Sequence, residues 1–235
     1  LKQRIDAPYI RANGKLQKTS WENAQKFLID KIKTFKPSEI AGIVGELADL
    51  EMVYSFKSFF KNCIGSENLE SRQKKFYINP AERMNYIFNS TINGIEDSDL
   101  ILLIGTNPRL EATILNARIR KSYLRNKIKI YTIGDPGNLT YPYQNIGENT
   151  LAIKDILEGK SKISDELKNS KKPLVIIGES ALYEKVGEYI FESVKKFLLQ
   201  NNFINEEWNA LNILNQQASS VGAIDLGVYL INEDN

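Results

Sequence analysis

Histidine is absent from this sequence of 235 residues, and cysteine occurs once, at position 63. Without histidine, the chain cannot form a Ser-His-Asp triad, a histidine general base or a histidine metal site. One thiol cannot close an internal disulfide, and an iron-sulfur cluster takes about four protein ligands. Because Cys63 follows the aromatic pair Phe59 and Phe60, we expect a buried structural thiol rather than a reactive one.

Long apolar runs are missing as well. The longest ones, 100–104 and 174–177, are far too short to cross a bilayer, and the amino-terminal residues lack the apolar stretch of a signal peptide. Basic and acidic residues number 31 and 29. The resulting net charge of +2 is too small to indicate binding to nucleic acid or anionic lipid. We therefore expect a soluble chain with no nucleic-acid partner and no direct membrane insertion. Since the first residue is Leu1 rather than Met, we expect a piece of a longer protein.

The remaining composition is that of an ordinary globular protein, with 42% hydrophobic and 26% charged residues. Three strand-like runs each end at a glycine: 100–104 before Gly105, 128–133 before Gly134 and 174–177 before Gly178. Continuous apolarity, clearest in the first and third, indicates strands buried on both faces. These units predict an α/β fold with mostly parallel sheets flanked by helices.

Helical spacing dominates the first sixty residues. Thr19 and Glu22 have the spacing of a capping box, and apolar residues recur at helical intervals from Trp21 until Pro37. The run 40–44 predicts a short buried strand, and a second amphipathic helix is expected after Asp49.

Ligands of open α/β sheets bind outside the carboxyl ends of the strands. Three turns are expected there, at 105–107, 134–135 and 178–180. Glycine lets a backbone approach a ligand, and the following helix start attracts anions. Neither the G-x-G-x-x-G spacing nor the G-x-x-x-x-G-K-[ST] loop is present. The glycines are therefore more simply explained as tight turns. In that case Asn107 caps a helix from Pro108 to about Arg125, and Gly105 lets that helix pack close to its strand.

Three further sets of residues each leave two interpretations open. A charged set on the first helix after a strand can bind a ligand or partner, or form a solvated helix face: Glu111, Arg118, Arg120 and Lys121. The aromatic loop 141–143 can stack on a ligand or pack over the sheet. The acidic residues Glu96, Asp97 and Asp99 can hold a metal or mark a helix end and turn.

Two segments resemble a known family. Residues 88–112 read F-N-S-T-I-N-G-I-E-D-S-D-L-I-L-L-I-G-T-N-P-R-L-E-A, and residues 115–121 read L-N-A-R-I-R-K. Both resemble the large iron-sulfur subunit (the G-type subunit) of respiratory NADH:quinone oxidoreductase, also called complex I. Segments 6–11, 134–141 and 208–227 extend the resemblance over essentially the whole chain.

The resemblance implies a fold similar to the molybdopterin oxidoreductases, such as formate dehydrogenases, with two nucleotide-fold-like lobes. Residues 96–203 would form an inserted lobe, and 1–95 would be completed by 204–235. In the catalytic relatives, the G-x-N-P turn and the next Asp-Pro contact a bis-molybdopterin guanine dinucleotide. Gly105, Asn107 and Asp135 match those positions and would be vestigial cofactor-binding residues.

The sequence also departs from the catalytic pattern. After Asn68-Leu-Glu-Ser-Arg72, the residues 73–77 contain no cysteine, selenocysteine or serine to ligate a metal, and Gly137 stands where an arginine is expected. The resemblance therefore implies a region with no catalytic residue, no metal ligand and no cofactor of its own, which serves as a scaffold. The alternatives are an active molybdopterin-dependent or nucleotide-dependent oxidoreductase segment and a free-standing nucleotide-binding regulator.

The same resemblance implies a setting in the respiratory electron-transport chain. The full-length subunit of this oxidoreductase, an NADH dehydrogenase, would carry its iron-sulfur clusters upstream of this fragment. The partners would be other peripheral-arm subunits of the membrane-associated complex. The location would be the cytoplasmic side of the bacterial inner membrane, or the matrix side in mitochondria.

Overall fold

The computed structural model describes residues 4–45, 47–72, 75–183 and 185–230. The chain forms two compact units: Leu1–Ser71 with Val228–Asn235, and Arg72–Gly227. Within the described residues, no helix has both the length and the apolar character that a membrane span requires.

The first unit contains two small sheets. Strands β1 (Tyr9–Ala12) and β2 (Lys15–Lys18) pair antiparallel, and β3 (Gly42–Ile43) pairs parallel with β4 (Leu69–Glu70). The turn between β1 and β2 is Asn13-Gly14, both with positive φ, as two-residue hairpins favour. The strand expected within 40–44 is confirmed in shortened form, but its burial is not, because Ile43 is 78% exposed.

Helices α1 (Trp21–Ile32) and α2 (Leu50–Phe59) follow the expected spacing. The cap of α1 is Ser20 rather than Thr19, since the Ser20 hydroxyl accepts from the backbone N–H of Asn23 at 3.2 Å. Thr19 still belongs to the hairpin, because its N–H donates to the carbonyl of Pro8 at 3.0 Å.

The expectation that Cys63 is buried is wrong. A π-helical turn, Phe60–Ile64, continues α2, and Phe60 is the residue that it buries. The Phe60 ring packs 4.7 Å from that of Phe56, between centroids. Cys63 lies on the outer side of the turn and is exposed. Of the aromatic pair that precedes Cys63, only Phe60 is buried, and Phe59 is 48% exposed.

The second unit is built on a five-stranded parallel sheet in the order β7-β6-β5-β8-β9. Its strands are β5 (Leu100–Ile104), β6 (Lys129–Ile133), β7 (Gln144–Gly147), β8 (Pro173–Gly178) and β9 (Leu211–Leu214). The three strands expected from the sequence are the three central ones. All residues of β5 and β8 are buried, as continuous apolarity predicted.

Helices surround this sheet. They are α3 (Thr91–Gly94), α4 (Pro108–Glu111), α5 (Thr113–Asn126), α6 (Thr150–Leu157), α7 (Ser164–Asn169), α8 (Glu179–Tyr183), α9 (Gly187–Gln200) and α10 (Ser220–Asp225), with 3₁₀ turns at Arg83–Asn85 and Ile95–Asp97; a further 3₁₀ turn, Pro37–Glu39, lies in the first unit. The single helix expected from Pro108 to about Arg125 is interrupted at Ala112, whose φ of −149° is extended. Ala112 ends α4 and starts α5, since its carbonyl accepts from Asn116 N–H at 2.9 Å.

Alternate residues of each strand point to opposite faces of the sheet. Leu102 and Ile104 join one apolar cluster, which includes residues of α6 and α9. Ile101 and Leu103 join the other, which includes Ile119 of α5. The sheet is therefore the middle layer of three.

The compact units divide at 71/72 and 227/228. The lobes expected from the resemblance divide at 95/96 and 203/204, and that arrangement stays a prediction. Strand β9 pairs in parallel with β8, which draws residues 204–227 into the second unit. The segment before residue 96 is tied to the same strand, because the Asn89 amide donates to the carbonyl of Leu211 at 2.6 Å. The pairing of β9 with β8 therefore places residues 204–227, and the segment bonded to β9, in the second unit.

Candidate functional site

The candidate site lies at the carboxyl edge of the sheet in the second unit. Because β5, β6 and β8 are parallel neighbours, their terminal glycines meet there. A Cβ added to Gly134 would lie 3.9 Å from the Cα of Gly105, and one added to Gly178 would overlap the Gly105 carbonyl oxygen. The three turns expected from the sequence are thus brought together.

Gly105 is required by both its conformation and its surroundings. Its φ is +55°, and a Cβ would lie 2.8 Å from the Cβ of Ala181. Ala181 belongs to α8, which follows β8. The absence of a side chain at Gly105 therefore lets α8, which follows the neighbouring strand β8, pack close. We expected it to serve the helix that follows its own strand β5, and that expectation is wrong.

Asn107 caps α4 as expected. Its side-chain oxygen accepts from the backbone N–H of Leu110 at 3.2 Å, and Pro108 occupies the first helical position. The backbone N–H of Asn107 donates to Glu111 Oε1 at 2.7 Å, and the hydroxyl of Thr106 donates to Glu111 Oε2 at 2.9 Å. The Glu111 carboxylate therefore holds the turn closed.

Asp135 closes the second turn in a similar way. Its Oδ1 accepts from the backbone N–H of Gly137 at 2.8 Å, and its side chain is exposed. Arg109 reaches across from the first turn and donates to the carbonyl of Asn138 at 2.9 Å. The two turns that carry the cofactor-matching positions are therefore linked directly by protein groups.

The third turn carries a buried carboxylate. Glu179 is 1% exposed, and its carboxylate accepts from the hydroxyl of Tyr183 and the backbone N–H of Gln216, both at 2.8 Å. The Ser180 hydroxyl donates to the carbonyl of Gly105. Glu179 and Ser180 thus fasten β8 to its neighbours.

The aromatic loop 141–143 packs over the sheet. Tyr141 is buried in the second apolar cluster, and its hydroxyl donates to the side-chain oxygen of Asn116 at 2.7 Å. Burial raises the pKa of Tyr141 above its ordinary value. The Tyr141 ring is therefore part of the core rather than a stacking surface for a ligand.

A crevice of about 320 Å³ opens at this edge. It is lined by Gly105 and Gly134, and by Asn149 and Thr150 at the start of α6. Its remaining described lining is mostly apolar and includes Ile153 of α6. None of the described residues that line the crevice is lysine or arginine.

These groups do not suit the diphosphate of a molybdopterin guanine dinucleotide. Such a group needs free N–H donors or cations. The N–H of Asn107 is engaged by Glu111, and the N–H of Gly137 is engaged by Asp135. A diphosphate would have to displace both carboxylates.

In the described part of the chain, no group of three or more histidine, cysteine, aspartate or glutamate side chains is placed so that it could hold a metal ion. The metal ligand of the catalytic pattern was sought within residues 73–77, of which 73 and 74 lie outside the described residues. Ser71, shortly before them, is buried and donates its hydroxyl to the carbonyl of Val228 at 2.9 Å. Its hydroxyl is thus engaged within the first unit.

The acidic set before β5 has structural partners that the sequence reasoning missed. Glu96 pairs with Arg118, with Lys121 at 2.7 Å and with Arg125 at 3.4 Å. Hydrogen bonds from Lys121 and Arg118 lower the pKa of Glu96. The spacing of these three bases along one helix face was the available signal. Asp99 instead accepts from the backbone N–H groups of residues 171 and 172.

The parallel sheet, the glycine turns at its carboxyl edge and the layered helices define the class of protein. Residues 4–233 match the family model described as molybdopterin oxidoreductase, and the chain therefore belongs to that family.

Individual relatives are more specific. The chain is similar to the G subunit of NADH-quinone oxidoreductase from Rickettsia bellii, with 38% identity over 96% of this chain and 33% of the relative. It is 40% identical to the NADH-ubiquinone oxidoreductase 75 kDa subunit of Reclinomonas americana, over 97% of this chain and 35% of the relative. The mitochondrial 78 kDa subunit of Candida albicans shows 39% identity over 99% of the chain. The resemblance found in the sequence is confirmed, and the chain spans about a third of the length of these curated relatives.

Proposed function

We propose that this chain is a scaffold region of the large electron-transfer subunit of NADH:quinone oxidoreductase and holds no molybdopterin or iron-sulfur cluster itself. The names of relatives that match nearly the whole chain support the setting. The observation that carries the scaffold role is the Glu111 carboxylate, which takes the Asn107 N–H at 2.7 Å. In this proposal, the turn that matches a cofactor-contacting turn of the catalytic relatives has its N–H group bonded by the protein itself.

In this proposal the chain works among the other peripheral-arm subunits of complex I. Its location is the cytoplasmic side of the bacterial inner membrane, or the matrix side in mitochondria. The iron-sulfur clusters belong to an upstream part of the full-length subunit. In this proposal the second unit contributes its three-layer α/β body rather than redox groups.

An active molybdopterin-dependent or nucleotide-dependent segment is the second candidate. The crevice of about 320 Å³ beside Gly105 and Gly134 favours it, because ligand pockets of open α/β sheets lie at this edge.

Two measurements test the proposal. A tagged chain, expressed in its own cells, is expected to migrate on a native gel with the activity that oxidises NADH. The purified chain is expected to contain no stoichiometric molybdenum, tungsten or iron, and to show no rise in Tm with guanosine diphosphate. Migration apart from that activity would refute the setting. A stoichiometric metal, or a rise in Tm with the nucleotide, would favour the second candidate.

A further inference from the structure

The outer side of α4 and α5 exposes large apolar side chains. Leu110, Ile114 and Leu124 are 79%, 73% and 52% exposed, while Leu115 and Ile119 on the inner side are buried. The spacing of Ile114, Ala117 and Leu124 places them along one stripe of α5. A helix that covers a sheet with one face has no structural need for a second apolar stripe.

A depression lies in this stripe. It has a volume of about 250 Å³ and is lined by Ala117, Arg120, Lys121, Leu124 and Arg125. The methyl group of Ala117 leaves room between the longer neighbouring side chains. The lining thus combines two apolar side chains, Ala117 and Leu124, with three cationic ones.

The charge around this depression is strongly positive. Residues 108–126 contain five basic side chains and one acidic side chain, a net charge of +4, although the whole chain carries only +2. Glu96 neutralises a single unit while contacting three of the bases. Arg120 forms no ion pair with any described residue. The excess charge remains available on the surface.

We propose that this outer face of α5 is a docking surface for an acidic amphipathic helix of another polypeptide in the same assembly. The proposal rests on the function proposed above for its assembly. Apolar side chains of the partner helix would enter the depression beside Ala117, and its carboxylates would pair with Arg120 and Arg125. Helices docked in grooves are held by such apolar anchors, while complementary charge selects the partner.

Charge complementarity favours this occupant over a second copy of the chain. In a symmetric dimer the same patch would face itself, which would set arginines against arginines. Like charges placed opposite each other in an interface cost free energy. An acidic partner instead relieves the repulsion among the bases on α5.

The experiment places a photoreactive amino acid at Leu124 in the full chain, expressed in its own cells, and cross-links the intact assembly. We expect one main cross-link, to a helical peptide of another polypeptide that contains aspartate or glutamate near the cross-linked residue. Arg120→Glu should lower the yield of this cross-link at least tenfold. Lys196→Glu, an exposed site on α9, should leave it unchanged. Reversing the charge of the captured carboxylate should restore the yield with Arg120→Glu.

Cross-links only to copies of this chain, only to lipid, or to no product would overturn the proposal, and so would a yield indifferent to Arg120→Glu. An unchanged Tm for this variant separates lost docking from misfolding, since Arg120 is exposed and has no described ion pair. Migration of the tagged chain with NADH-oxidising activity is scored separately. If the chain migrates apart from that activity but still cross-links to an acidic helix, the proposed function fails and the docking surface does not. If the chain migrates with the activity but gives no such cross-link, the docking surface fails and the proposed function does not.

Discussion

At the scale of single residues, the G-T-N-P turn is held by hydrogen bonds that two side chains, those of Asn107 and Glu111, accept from backbone N–H groups. Asn107 accepts from the start of α4, and Glu111 reaches back to the N–H of Asn107. A capping side chain contributes about 0.5–2 kcal/mol. Asn107→Ala should therefore lower the free energy of unfolding by about that amount, while Asn107→Ser should stay close to the wild type. Urea denaturation of the three proteins measures this difference, and equal losses in both variants would rule out capping as the cause.

Glu111 separates a scaffold from a masked nucleotide site. Glu111→Gln keeps an oxygen acceptor of nearly the same size but removes the negative charge. In the scaffold interpretation, this variant loses up to about 1 kcal/mol of stability, because a neutral acceptor bonds N–H less strongly. It should still gain no stability from guanosine diphosphate in a thermal scan. A rise in Tm with nucleotide in the variant alone would show that Glu111 masks a site.

At the scale of elements, Gly105 couples β5 to α8. Gly105→Ala combines a strained positive φ with a Cβ placed 2.8 Å from Ala181. Gly159 offers a matched control in the same unit, since its φ of +75° carries the same strain, but a Cβ would meet only the end of Lys168 at 3.8 Å. We expect Gly159→Ala to cost about 1 kcal/mol and Gly105→Ala clearly more. Chemical denaturation of both variants tests this; equal costs would mean that the approach of α8 adds nothing.

The sequence predicted the central strands well and the edges poorly. β5 and β8 are buried on both faces, so continuous apolarity identified them. β7 is the edge strand Gln144–Gly147, which is partly exposed and carries little apolar signal. Apolar residues at helical spacing from Trp21 predicted the helix α1, yet no residue of α1 is buried. Periodicity shows that a helix has an apolar face, but it does not show what covers that face.

In the candidate site too, features that depend on local sequence could be predicted and features that depend on strand order could not. The cap at Asn107 was predictable, because Asn-Pro after a strand has a local physical meaning. The convergence of Gly105 with Ala181 was not, since it depends on β8 lying beside β5 rather than on any local pattern. The Glu111 carboxylate accepts from the N–H of Asn107, four residues earlier. This spacing is one residue longer than that of a capping box, and it was a sequence signal from which the bond could have been predicted.

At the scale of the whole molecule, acid should weaken the second unit through its ion pairs. Hydrogen bonds from Arg83 lower the pKa of Asp225, and those from Lys129 and Tyr131 lower the pKa of Glu166. A lowered folded-state pKa gives stability that is complete above the ordinary pKa of about 4 and is lost as the pH falls through the folded-state value.

Asp225→Asn should thus be less stable than the wild type at pH 7, by less than about 1 kcal/mol because the pair is partly solvated. The difference should shrink as the pH falls through about 4 and vanish below the lowered folded-state pKa of Asp225. Asp155→Asn, at an exposed position on α6, is the control and should show no such convergence. Thermal scans from pH 7 to 3 decide the matter, and a constant difference at all pH values would contradict the linkage.

The two compact units should also differ in how readily they open. α1 buries no residue, whereas α9 buries six, including Phe191 and Leu198. Local opening is easiest where few apolar contacts are lost, so the backbone amides of α1 should exchange with solvent orders of magnitude faster than those of α9. Hydrogen exchange followed by mass spectrometry on the purified chain measures both helices in one experiment. Equal protection would mean that the free energy of opening does not follow burial. Because α1 and α9 have similar lengths, 12 and 14 residues, helix length alone cannot produce the expected contrast.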